Sequence, residues 1–297
     1  MNNQGLISLE NESISIIRDT YSSSENPVLL YSVGKDSSVL THLFKKAFYP
    51  LKVPVKLLHV DTTWKFKEMI KFRDDYALKN NLDLIVYKNQ DAIKKDINPF
   101  NSKNYTDIMK TETLKKALDE YGFDMIYGGA RRDEEASRSK ERVLSVRDKY
   151  HSWDPRNQRI EPWLIFNTEK IIDQTFRVFP ISNWTELNVW EYIKQESIEI
   201  VPLYFAKNRE VIVRDDEIYL YDDKRFHLKN TDEIKKLKVR FRTLGCYPLT
   251  AGIESDSDNL DKIIQELNET SYSERSGRAI DKDRIGSMEI KKKEGYF

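Results

Sequence analysis

Apolar blocks alternate with amphipathic blocks through the first half of the chain. Short, largely apolar runs at 28–31, 55–60, 84–87 and 125–127 predict four strands. Between them, apolar residues recur at three- and four-residue intervals and predict helices over 37–48, 66–79 and 107–121. The first of these helices has one apolar face, made of Val39, Leu40, Leu43, Phe44 and Ala47. Another helix is expected around 9–20, before a serine-rich link. Strands apolar on both faces, alternating with helices, predict an α/β fold with a doubly wound, mostly parallel sheet. Such sheets bind ligands at the carboxyl ends of their strands, near a switch in strand order. Three segments fall at such ends: 32–37, 61–64 and 128–132.

The first of them, Ser32-Val33-Gly34-Lys35-Asp36-Ser37, enters a helix N-terminus. Free backbone N–H groups and the helix dipole make that place an anion site. Lys35 adds a cation, while Ser32 and Ser37 add hydroxyl donors, so a phosphate or pyrophosphate is the expected guest. The loop is read as lying on the surface. It is not a Walker A loop, because Leu29 stands where that motif needs glycine and Asp36 where it needs serine or threonine. It resembles instead the PP-loop, S-G-G-x-D-S, of enzymes that cleave ATP between its α- and β-phosphates. The alternative is a strand-to-helix turn with a capping side chain.

Asp61 and Thr62 end the second strand. There the carboxylate is suited to ribose hydroxyls or to a phosphate-bound Mg²⁺ through water, or else to capping the next helix. Mg²⁺ is expected to arrive with ATP, with no dedicated carboxylate cage in the chain. Gly128 and Gly129 let the backbone approach an anion closely. Arg131 and Arg132 follow them with planar forks suited to tetrahedral oxyanions. From Arg138 onward an ion-paired, solvated helix face is the slightly favoured reading. Trp64, Phe66 and Phe72 are read as core.

Composition narrows the partners. Lys+Arg and Asp+Glu balance at 49 each, which argues against a general nucleic-acid or membrane binder. With no apolar run of membrane-spanning length and no leader-like N-terminus, the chain is read as cytoplasmic. A single cysteine, Cys246, removes intrachain disulfides and cysteine-rich metal sites, and it is read as a buried small residue. The four histidines are scattered and read as structural.

The second half is looser. A helix start is expected at Asn183 with Glu186 three residues on, and a small hairpin insertion over 210–228. Three parts are expected: an N-terminal helix and link at 1–25, a nucleotide-binding α/β domain at 26–200, and a packed extension at 201–297. The tail 275–297 mixes cations with Met288, Ile290, Tyr296 and Phe297. It is expected to dock a partner or to fold back over the site.

Several segments together resemble one family. They are Ser32–Ser37, Leu58-His59-Val60-Asp61-Thr62, Trp64-Lys65-Phe66, Asp107-Ile108-Met109-Lys110-Thr111, Gly128-Gly129-Ala130-Arg131-Arg132-Asp133-Glu134-Glu135, Trp153-Asp154-Pro155, Val201-Pro202-Leu203-Tyr204 and Val239-Arg240-Phe241-Arg242-Thr243-Leu244-Gly245-Cys246. The chain resembles the small, catalytic subunit of the bacterial two-subunit sulfate adenylyltransferase, within the wider PP-loop and phosphoadenylylsulfate reductase group. The resemblance implies the adenine-nucleotide alpha-hydrolase fold and the reaction of ATP with sulfate to adenosine 5′-phosphosulfate and pyrophosphate. It also implies a separate large subunit that hydrolyses GTP. By the same resemblance, Ser32, Val33, Gly34, Lys35, Asp36, Ser37, Asp61, Thr62, Gly128 and Gly129 bind ATP or pyrophosphate. Lys35, Arg131 and Arg132 are then catalytic, and Arg131, Arg132 and Arg138 hold sulfate. Val33, Thr63, Ala251 and Gly252 depart from the common family pattern, Val33 and Thr63 standing where glycine is usual. A β-branched residue resists φ > 0, so Val33 is expected either to be extended or to sit in an altered loop. Three rivals remain: a sulfonucleotide reductase, which needs a nucleophilic cysteine; a tRNA-thiolating PP-loop enzyme, which usually shows cysteine pairs or a basic RNA surface; and a non-catalytic ATP-binding partner of a GTPase.

Overall fold

The structure, a computed structural model, describes residues 3–134 and 136–269. Helix α1 (Asn3–Ser22) precedes β1 (Pro27–Leu30), α2 (Lys35–Phe48), β2 (Lys56–Val60), α3 (Lys67–Lys79), β3 (Leu84–Tyr87) and α4 (Gln90–Lys94). A single π-turn, Asp107–Glu112, then runs into α5 (Thr113–Tyr121) and β4 (Met125–Tyr127). Strands β5 (Leu144–Arg147) and β6 (Thr175–Val178) complete a six-stranded sheet in the order β3-β2-β1-β4-β6-β5. Every pair is parallel except β5 with β6. The order switches between β1 and β4, so the loops leaving those two strands lie side by side.

The four expected strands are present with ends shifted by at most one residue, and the helices begin or end near their expected limits. Strands β5 and β6 escaped the hydrophobic pattern because buried polar side chains interrupt them. Ser145, Arg147 and Arg177 are all nearly inaccessible. Most of the sheet packs with α1, α2, α3 and α6 (Glu186–Gln195) in one large core. The opposite face, Val28, Leu58 and Ile126, packs on Leu114, Ala117 and Leu118 of α5.

Helix α6 begins two residues later than the sequence suggested. Its cap is Thr185 rather than Asn183. Thr185 Oγ1 accepts from Asn188 N at 3.1 Å, and Asn188 Oδ1 accepts from Thr185 N at 2.9 Å. A turn closed by Trp184 N on the Ile181 carbonyl holds the preceding residues out of the helix.

Beyond α6, β7 (Lys207–Arg214), β8 (Glu217–Leu220), β9 (Ile234–Arg240) and β10 (Ile253–Glu254) form an antiparallel sheet in the order β10-β9-β7-β8. Strands β7 and β8 are the hairpin expected over 210–228. Helix α7 (Leu260–Glu269) follows, and the tail 275–297 lies outside the described residues.

The edge strand β5 is closed by side chains rather than by another strand. Glu161 accepts from the N–H groups of Val143 at 3.1 Å and Leu144 at 2.6 Å. Gln158 accepts from Val146 N at 2.9 Å and donates to its carbonyl at 3.2 Å. Unpaired edge groups otherwise template association with a second chain. Glu161→Ala strips two N–H groups of their acceptor and should destabilise the protein by about 1–3 kcal/mol. Urea denaturation of the variant beside the parent chain measures the loss.

Candidate functional site

At the switch point, residues 31–34 carry the chain from β1 to α2, whose N-cap is Gly34 in extended conformation. No side chain caps the helix. Ser37 Oγ instead donates to the Gly34 carbonyl at 2.9 Å and receives Ser32 Oγ at 3.2 Å, which folds the loop over the helix start. Val33 is left-handed, with φ 67°, and buried in the core. Of the two conformations considered for it, the extended one is thus ruled out. Packing of the valine side chain holds a backbone shape that glycine adopts freely.

Lys35 is only 1% exposed, so the expectation of a surface loop is corrected. Its ammonium lies 3.3 Å from Asp36 Oδ2, and its backbone N–H donates to Tyr204 Oη at 2.8 Å. Asp36 Oδ1 accepts from Arg131 Nε at 2.7 Å. Burial opposes ionisation of Asp36, but Lys35 and Arg131 outweigh it and hold the carboxyl below its usual range. Gly129 completes the junction. A Cβ there would stand 3.1 Å from the carbonyl carbon and Cβ of Asp36.

A cavity opens over this loop. Ser32, Gly34, Lys35, Asp36, Ser37 and Gly129 line one end, and Leu30, Leu58, Val60 and Leu114 line an apolar end. Lys65 joins them from the β2–α3 turn, Lys110 from the π-turn, and Glu134 and Arg138 from two short 3-10 turns after β4. Four lining cations face two lining carboxylates, an excess that suits an anionic ligand. The apolar end suits a flat heterocycle.

Among the sequence candidates, Arg138 lines the cavity, whereas Arg131 and Arg132 do not. Arg131 is fully buried and clamps Asp36, with Asp133 3.7 Å away. Arg132 donates to Asn183 Oδ1 at 2.6 Å. Gly128 donates to the Val178 carbonyl and belongs to the sheet end. Asp61 and Thr62 are also outside the lining. Asp61 Oδ1 accepts from Thr63 N at 2.8 Å, while Lys88 and Arg73 lie 3.3 and 3.8 Å from Oδ2. Asp61 thus fixes the turn after β2 and does not cap the next helix, whose N-cap is Phe66 with no side-chain cap bond. Its carboxyl is also held low: burial resists ionisation, and the Thr63 N–H and Lys88 outweigh it. Thr63 is left-handed, φ 64°, like Val33. Thr62 Oγ1 lies 3.4 Å from the buried Cys246 Sγ. Trp64 and Phe66 are core, as expected.

Lys65, Lys110 and Tyr204 carried no role in the sequence reading, although all three stand inside the quoted motifs. What was missing was the side-chain direction, which periodicity does not report. His59 is a further unassigned residue of the lining. Its Nδ1–H donates to the Tyr31 carbonyl at 2.8 Å. Burial, then the nearby Lys65, pushes its pKa down to about 3, so the ring is neutral in the folded protein. Among the described residues, no group of His, Cys, Asp and Glu side chains is arranged to hold a metal ion. No described helix is long and apolar enough to cross a membrane.

Two measurements check this geometry. Arg131→Met removes one partner of a buried ion pair and should destabilise the chain by about 3 kcal/mol in urea denaturation. His59 has a depressed folded pKa, so its contribution is complete above pH 6.5 and is lost as pH falls toward its folded value. In that window only the unfolded state binds the proton, and stability falls by about 1.4 kcal/mol per pH unit. His59→Phe should flatten the denaturation-midpoint profile between pH 6 and pH 4, in the same sense and by about that slope.

A family model, the phosphoadenosine phosphosulfate reductase domain, matches residues 26–252. Sulfate adenylyltransferase subunit 2 of Psychromonas ingrahamii is 60% identical over 98% of this chain and 97% of that protein. The protein of the same name from Aeromonas hydrophila is 59% identical over 97% of this chain and 96% of its own length. Among solved structures, Candida glabrata FMN adenylyltransferase in complex with ATP aligns with a TM-score of 0.51 at 14% identity. It covers 93% of this chain and 88% of that one, a likeness of fold alone. The chain carries the phosphoadenosine phosphosulfate reductase domain and belongs to the sulfate adenylyltransferase subunit 2 family.

Proposed function

We propose that this chain activates sulfate: ATP + sulfate → adenosine 5′-phosphosulfate + pyrophosphate. The carrying observation is the buried Lys35 at the helix-entry loop, facing a cavity with an excess of cations. A sulfate oxygen attacks the α-phosphorus, the bond to the bridging oxygen breaks, and pyrophosphate leaves. Sulfate is already deprotonated at neutral pH, so no general base is needed. Catalysis is positioning and charge neutralisation.

In this reading Lys35 and the loop formed by Ser32, Val33, Gly34, Asp36 and Ser37 hold the leaving pyrophosphate. The apolar end of the cavity takes adenine. Arg138, with Lys110, faces sulfate or the α-phosphate. Arg131 supports the reaction at one remove, by keeping Asp36 and hence Lys35 in place. Mg²⁺ enters with ATP as part of the substrate. The name shared by the relatives implies a partner subunit, and we assign that partner as a GTPase whose hydrolysis drives the uphill equilibrium. A reductase reading fits less well, because the one cysteine is buried against Thr62.

With the partner present, pyrophosphate release should require sulfate or a mimic such as molybdate. Sulfate-independent formation of ADP and phosphate would contradict the reading, since it cuts a different bond. Lys35→Met should lower kcat by about 10²–10³, measured by coupled pyrophosphate detection. Arg138→Lys should raise the KM for sulfate more than the KM for ATP.

A further inference from the structure

The 27 residues between β5 and β6 are not used by the site. They expose an unusual run of large apolar side chains. Trp163 is 91% exposed, Ile172 89%, Ile160 76%, Ile165 66% and Ile171 61%. Trp163 and Leu164 are both left-handed, at φ 51° and 59°.

This exposure is held in place by the rest of the segment. Gln158 and Glu161 are bonded to the β5 edge, on either side of Ile160. Arg159 closes the loop by donating to the Asn167 carbonyl at 2.6 Å and to Gln174 at 3.3 Å, and it stacks over Phe176. Phe166 turns inward against the core. Lys170 is tied to Asp124 at 2.8 Å and Glu25 at 3.1 Å. A segment anchored at so many points does not shed its apolar side chains outward for want of structure. It presents them on a prepared backbone, which lowers the ordering cost of binding.

We propose that this strap, centred on Trp163 and Ile172, is the surface that docks the partner subunit; the assignment rests on the two-subunit reading above. Side chains so exposed, all within residues 160–172, present on the order of 700 Å², near the ~800 Å² that one partner gives a standard interface. Tryptophan, here Trp163, is among the residue types that carry most of the binding energy at an interface. The β5 edge beneath is already closed by Gln158 and Glu161, so the partner binds through side chains and not by adding a strand.

The test uses the full chain and the purified GTPase subunit of the same organism's enzyme. Sedimentation velocity reads complex formation, and ATP binding with circular dichroism reads the fold. Trp163→Asp/Ile172→Asp should weaken the complex at least thirtyfold while ATP affinity stays within twofold. Hydrogen exchange on the wild-type chain needs no variant: amides of residues 160–172 should gain protection when the subunit binds. An undiminished complex, or no protection there, overturns the surface. So does a variant that loses only self-association, which would assign the strap to a second copy of this chain. A wild-type chain that forms no complex at all overturns the two-subunit reading as well, whereas loss of sulfate-dependent turnover with docking intact touches only the catalytic proposal.

Discussion

The site depends on one carboxylate. Asp36 sits where the loop leaving β1 meets the loop leaving β4, and it is gripped from both sides. Lys35 lies against one oxygen and Arg131 donates to the other. A charge taken partly out of water is tolerated only with such partners. The partners keep the acid ionised at neutral pH, and the ionised acid keeps the ammonium of Lys35 in place although that side chain is almost wholly buried. Gly129 follows from the same junction, because any side chain there would press on Asp36. The two loops are therefore set before a ligand arrives, which is what charge neutralisation by positioning requires.

The second half of the chain takes part in this setting. Tyr204 reaches back to the N–H of Lys35. Arg225, from the segment after β8, stacks over Trp64 at 4.3 Å and donates both terminal nitrogens to the Thr63 carbonyl at 3.3 Å. Tyr247 N donates to the Trp64 carbonyl. Thr243 and Leu244 line the cavity itself. Segments that flank the strands of the antiparallel sheet are thus tied to the β2–α3 turn at several points.

Much of this was legible in the sequence. Apolar runs at 28–31 and 125–127, with small residues directly after them, located the sheet and its switch point. Strands β5 and β6 were not legible, since Ser145, Arg147 and Arg177 are buried polar groups that a hydropathy pattern reads as surface. Arg131 and Arg132 were legible as a basic pair but not by direction. Adjacent residues on a turn face different ways, and only Arg131 turns to Asp36. Lys65 and Lys110 converge on the cavity from the β2–α3 turn and the π-turn, a proximity that spacing along the chain does not express.

The two departures from glycine explain where the fold stores strain. Val33 and Thr63 stand at the carboxyl ends of neighbouring strands, and both are left-handed. That conformation costs a residue with a Cβ about 1–2 kcal/mol. Each is over-determined by what surrounds it. Burial of the Val33 side chain offsets its backbone cost. Thr63 has its N–H fixed by Asp61 and its carbonyl by Arg225. Strain of this kind persists only where neighbouring structure enforces it. Here the enforcing groups are the core, Asp61 and the segment after β8, so the same packing that closes the molecule also preserves the loop shapes beside the cavity.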